Sequence, residues 1–166
     1  MATLLQKVDA ELEQMDRAVR ELPPLRRIRE LSALELGGTA ALLSAVYHGV
    51  ENVLKQGLSA CGQPLPTGAA WHRDLLQAGC LHGIITARLR DELAQFMAFR
   101  HFFAHAYGFE LDPERLRPLV QALRPVYGRF KKAARRFARA QEGVTRVARR
   151  RGPQAGRRAS SQARSR

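Results

Sequence analysis

Leu5, Val8, Leu12, Met15, Val19 and Leu22 recur at alternating spacings of three and four, which marks one buried helical face, and Thr3 stands where an N-cap belongs. Pro23 and Pro24 end that helix. A second helix is expected to start there and to run through Leu25, Ile28, Leu36, Leu43, Tyr47, Val50 and Leu54, with Gly37 and Gly38 as a place to bend and Gly57 as its close. Residues 58–70 hold Gly62, Pro64, Pro66 and Gly68 and read as a loop, followed by a short helix over 71–79. Residues 80–87 carry mixed signals, whereas 87–107 read strongly as helix, with Gly108 as its stop.

Asp112, Pro113 and Glu114 then supply an N-cap, a first-turn proline and an acidic first turn. Leu116, Leu119, Leu123, Tyr127, Phe130, Ala134 and Phe137 continue the three-and-four spacing, while Pro118 and Pro125 predict a kinked helix or two shorter ones. No strand pattern and no internal repeat is visible. The fold class that follows is all-α, an antiparallel up-and-down helical bundle over residues 1–142. Residues 143–166 are Arg, Ala, Gly, Ser and Gln with little that is apolar, a basic tail expected to be disordered from about Gly152.

Charge adds a second division. Residues 1–128 carry 14 Lys/Arg against 14 Asp/Glu, and residues 129–166 carry 14 Lys/Arg against Glu142 alone, so the net +13 belongs to the C-terminal part. Such an extension either meets RNA, DNA or another anionic surface or is simply solvated. With 166 residues and 45% apolar content, the chain has material for one sizeable core. Cys61 and Cys80 are too few for a disulfide framework and have no zinc spacing, and the first residues show no secretory pattern. A cytoplasmic protein with no membrane span is the expectation.

The segment FRHFFAHAY at 99–107 breaks the apolar pattern. At about 100° per residue, Leu93, Phe96, Phe103 and Tyr107 fall within roughly 40° of Leu89, and Arg100 falls at about 20°. A guanidinium inside an apolar stripe costs desolvation unless something answers it, either an acidic residue of another helix or a ligand. His105 lies about 140° around the helix from Arg100, on a second face with His101 and Phe102. Both faces carry aromatics, and Phe96, Phe99, Phe102 and Phe103 are expected in the core or at an interface between two copies. His101 and His105 are spaced like two zinc ligands, but no carboxylate or cysteine completes a set, so no metal and no cofactor is expected. Trp71, His72 and Arg73 open the short helix and read as packing residues; His48 and His82 have no motif around them.

Metal-free RNA cleavage needs a base for the 2'-hydroxyl, an acid for the 5'-oxygen and a cation beside the phosphorane-like transition state. Histidine, which titrates near neutrality, suits the first two, and arginine suits the third. One motif histidine per chain leaves one proton-transfer role empty, which a two-fold dimer would fill with a second His105 and Arg100.

Arg100, polar His101, three further residues, His105, one residue and Tyr107 resemble the motif of the HepT subgroup of HEPN ribonucleases. The segments VYHGVENVLKQ near Tyr47, AAWHRDLLQAG near Trp71 and AYGFELDPERL near Asp112 are also similar to the longer HepT-like toxins. The resemblance covers most of residues 1–140 and excludes the tail. It implies a homodimeric, metal-independent endoribonuclease toxin with RNA as substrate, leaving 2',3'-cyclic phosphate ends. Arg100 and His105 would be catalytic, His101 the motif's polar position, and Tyr107 the residue that an MNT-type nucleotidyltransferase antitoxin modifies with AMP. The chain has His101 where asparagine is frequent, and Phe102, Phe103 and Ala104 where Leu or Val types are usual. A non-catalytic helical module that binds nucleic acid or a partner is the alternative, because fold resemblance alone does not establish activity.

Overall fold

A computed structural model describes residues 2–105 and 111–150, with side chains through residue 144. The elements are α1 (Leu4–Glu21), a 3-10 segment (Leu25–Glu30), α2 (Ala33–Ala60), α3 (Trp71–Leu81), α4 (Ala87–His105) and α5 (Pro113–Arg150). All are helical, as the periodicity requires, and among the described residues there is no strand. Gly108, Tyr107 and the residues from 151 onward lie outside the described residues.

Central α2 packs against α1, α3, α4 and α5. Leu43, Val46, Tyr47, Val50, Leu54 and Leu58 are therefore buried over a wide arc of this helix. Helix α5 closes the bundle antiparallel to α1, as three polar contacts in reverse order show. Asp9 meets Arg135 at 2.7 Å, Asp16 meets Lys131 at 2.5 Å, and the Leu5 amide donates to Glu142 Oε1 at 3.2 Å. The Tyr127 hydroxyl donates to Asp16 Oδ1 at 2.6 Å. Burial alone would raise the Asp16 carboxyl, but the hydrogen bonds from Lys131 and Tyr127 outweigh it and hold the carboxyl below its ordinary range.

Several boundaries correct the sequence reading. The expected second helix is split, because Ser32 and Glu35 form a reciprocal cap: Glu35 N donates to Ser32 Oγ at 3.3 Å and Ser32 N to Glu35 Oε2 at 2.8 Å. Nor does Gly57 close that helix. It lies inside α2, and its missing side chain makes room for Ile84, since a Cβ would stand 2.7 Å from Ile84 Cδ1. The chain turns instead at Gly62, whose φ of 68° suits glycine. Helix α3 runs two residues past Gly79, to Leu81. Pro118 and Pro125 do not interrupt the last helix: α5 is one helix of 38 residues. Both prolines are exposed, so water can satisfy the carbonyls they free while Leu116, Val120, Leu123 and Tyr127 keep their packing. Helix α5 also continues across Gly143. The caps at Thr3 and Asp112 form as expected, with Gln6 N on Thr3 Oγ1 and Glu114 N on Asp112 Oδ1.

Candidate functional site

The α4 stripe buries Leu89, Leu93, Phe96 and Phe99, with Phe103 partly covered. Arg100 stands beside it and is answered by a carboxylate of another helix: its Nε lies 3.9 Å from Glu51 Oε2. Glu51 belongs to α2 and is 0% exposed. Its other oxygen, Oε1, takes His72 Nδ1 at 2.5 Å, and His72 Nε2 lies 3.4 Å from Arg100 Nη1. Three helices thus bring Glu51, His72 and Arg100 together around one buried carboxylate.

Tertiary packing explains that convergence. Gly68, with φ at 85°, turns the loop so that the Trp71 amide reaches the Gly68 carbonyl at 3.3 Å and α3 begins. Leu75 and Leu76 then bury one face of α3. His72, three and four residues before them, faces the same way. Trp71 stacks on the His72 ring with centroids 3.6 Å apart, and Lys55 Nζ lies 4.4 Å over Trp71. The imidazole is therefore held by Trp71 on its face and by Glu51 at Nδ1. Around Glu51, His48 Nδ1 is 3.8 Å from Oε2, an oxygen that makes no hydrogen bond. The neighbouring Tyr47 hydroxyl is buried without a partner, and burial, reinforced by the Glu51 charge, raises it well above the usual phenol range.

The cluster is not sealed. Arg100 and His72 keep 27% and 24% of their side chains exposed. They line a recess of about 350 Å³ together with Arg73, Met97, Ala98 and His101. His101 therefore shares the recess with Arg100, although the helical wheel puts the two about 100° apart. His105 does not line it. Its ring lies 4.8 Å from the His101 ring, and its Nδ1 donates to the His101 carbonyl at 2.8 Å. A carbonyl only accepts, so the neutral imidazole of His105 carries its proton on Nδ1 and leaves Nε2 as the free acceptor. Phe102, on the same side, is 37% exposed. Tyr107 lies outside the described residues.

The sequence reading missed Glu51 and His72. A signal existed for each: Glu51 falls about 80° from Leu43, at the edge of the apolar arc of α2, and His72 sits on the apolar face of α3. Neither signal says that the two faces meet at Arg100. A second recess, of about 290 Å³ between α4 and α5, is lined by Arg88, Arg129, Lys132 and Arg136 around Glu92. Burial would raise the Glu92 carboxyl; Arg129 and Arg88 outweigh it and lower it. Among the described residues no group of three or more His, Cys, Asp or Glu side chains is arranged to hold a metal ion, and no helix is long and apolar enough to cross a membrane.

Fold and site together define an all-helical bundle with an arginine and histidines gathered at a recess beside its fourth helix. The family model of the HepT-like proteins matches residues 38–141, from α2 through most of α5, and the chain belongs to that family. Glu51, His72, Arg100, His101 and His105 all lie inside the matched span. No curated protein and no solved structure matches the chain. At the level of the family, membership associates the chain with ribonuclease-type toxins of toxin-antitoxin systems.

Proposed function

We propose that this chain is a metal-independent endoribonuclease toxin in which Arg100 stabilises charge on the scissile phosphate and His105 transfers a proton. The observation that carries the reading is the exposure of Arg100 at a recess shared with His101, with the buried Glu51 carboxylate 3.9 Å behind the guanidinium. A guanidinium with an edge exposed there can present its planar fork to a phosphate. The free Nε2 of His105, one helical turn beyond His101, suits proton transfer. Exposed Phe102 on the same helix supports a cleft made by two copies of α4 in a homodimer. In this reading an MNT-type nucleotidyltransferase antitoxin neutralises the toxin in the cytoplasm by attaching AMP to Tyr107, seven residues after Arg100 in the sequence. The added phosphate would compete with RNA for the guanidinium.

Purified protein is expected to cleave RNA in excess EDTA and to leave 2',3'-cyclic phosphate ends. Arg100→Ala and His105→Ala should each lower the rate by about 100-fold with helicity retained. Full activity in His105→Ala would remove the catalytic assignment. The ion pair to Glu51 favours a second reading, a silent binding module in which Arg100 only satisfies a buried carboxylate. Absence of any cleavage by the wild type would select that reading.

A further inference from the structure

We propose that His72 is a second proton-transfer residue of this site, acting as the base that takes the 2'-hydroxyl proton, with Glu51 as its positioning residue. The proposal rests on the ribonuclease reading for its reaction, but its evidence is the geometry of α2, α3 and α4.

A guanidinium has donors and no acceptor, so in the 3.4 Å contact with Arg100 Nη1 the His72 Nε2 must accept. The ring proton then sits on Nδ1 and is donated to Glu51 Oε1 at 2.5 Å. This is the arrangement in which a carboxylate fixes the tautomer of an imidazole and stabilises the imidazolium formed when the other nitrogen takes up a proton. That carboxylate is completely buried, which carries a desolvation cost that its polar neighbours must answer. His72 itself reaches the recess, beside Arg73, Arg100 and His101. The catalytic motif supplies one proton-transfer histidine per chain, and His72 supplies the other from within the same chain.

In the step assigned to it, the substrate phosphate takes over the Arg100 Nη1 donor, which frees the His72 Nε2 lone pair to accept the proton of a ribose 2'-hydroxyl as the O2'–P bond forms and the P–O5' bond breaks. Arg100 stabilises the charge on the non-bridging oxygens, and protonated His105 of the partner subunit, across the proposed two-fold cleft, gives its Nε2 proton to the departing O5'. The products are a 2',3'-cyclic phosphate and a 5'-hydroxyl, with one proton gained by His72 and one lost by His105. Of the other titratable or charged groups, Tyr47 and His48 of α2 stand by Glu51, Lys55 of α2 lies over the Trp71 ring that stacks on His72, and Arg73 of α3 with Arg100 and His101 of α4 share the recess.

His72→Asn keeps an N–H at the δ position for Glu51 and removes the titrating nitrogen. It is compared with His105→Ala on RNA and on a uridine 3'-nitrophenyl phosphate, whose leaving group departs without a proton. On both substrates His72→Asn should lower kcat by about 100-fold, and the acidic limb of its pH profile should disappear. His105→Ala should be slow on RNA and near wild type on the nitrophenyl ester. Wild-type rates and an unchanged pH profile in folded His72→Asn would overturn the proposal, as would rescue of that variant by the nitrophenyl leaving group. Wild type inactive on RNA would instead sink the ribonuclease reading. Nitrogen-15 NMR of the histidine rings then judges His72 alone. A shift of its Nε2 resonance on adding uridine 3'-phosphate would keep His72 as a phosphate-site residue, and no shift would reject it.

Discussion

Asp16 and Arg100 show how the same pairing of opposite charges serves two ends. Asp16 ties α1 to α5 through Lys131 and Tyr127 and meets nothing that a substrate would use. Its carboxyl is held below the ordinary value of 3.8, so its contribution to stability is present above that pH and is lost as pH falls through the lowered folded value. Asp16→Asn should therefore cost about 1 kcal/mol at pH 7, discounted for partial exposure. That corresponds to a fall in Tm of roughly 2–4 °C, shrinking as pH falls below 3.8 and through the lowered folded value. Thermal melts of both proteins across that range check it; a difference independent of pH would mean that packing, not charge, is lost. Arg100 in contrast keeps one edge toward a recess, and its sequence neighbours could not reveal the carboxylate behind it. The apolar stripe of α4 showed that something must answer the guanidinium. The structure supplies the first answer, an acidic residue of another helix, and leaves part of the same side chain exposed at a recess.

At the scale of elements, most boundaries follow local rules. Thr3 with Gln6, Asp112 with Pro113 and the paired Pro23 and Pro24 each act within a few residues, so the ends they set are legible in the sequence. The split between Leu25–Glu30 and α2 was equally local, since Ser32 and Glu35 form a capping box; the apolar periodicity running across it concealed the break. Gly57 misled because its reason is contact with Ile84, a residue 27 positions away. Gly49 is the clearest such contact: a Cβ there would stand 2.5 Å from Met15 Cγ, at the crossing of α1 and α2. Gly49→Val should accordingly destabilise the protein by roughly 1–3 kcal/mol despite valine's better helix propensity. Urea titration measures it, and a wild-type midpoint would show that the Met15 side chain moves aside freely.

For the whole molecule, the division of charge matters most. The α4–α5 recess already presents Arg88, Arg129, Lys132 and Arg136, and residues 143–166 add eight arginines with no acidic residue. Among the described residues, the last core residue of α5 is Ala138, and Glu142 makes the contact to Leu5. Deleting residues 143–166 should therefore leave the fold and intrinsic cleavage intact. RNA association should weaken and depend less steeply on salt, because fewer counterions are released. Binding isotherms at several salt concentrations test this; identical slopes would make the extension a passive one.

The sequence by itself determined the helices, their principal caps, the bundle class and the anomaly at Arg100, because each depends on spacing along one chain at the helical period. It also carried the resemblance to the HepT-like proteins, which the family match bears out. Only the tertiary structure decided what Arg100 faces. Glu51, His72 and Arg100 are separated by 21 and 28 positions, and no periodicity relates residues on three different helices. Their meeting depends on how far α3 is turned by the loop before it and on how deeply α2 is enclosed. Those quantities are fixed by the packing of the whole bundle.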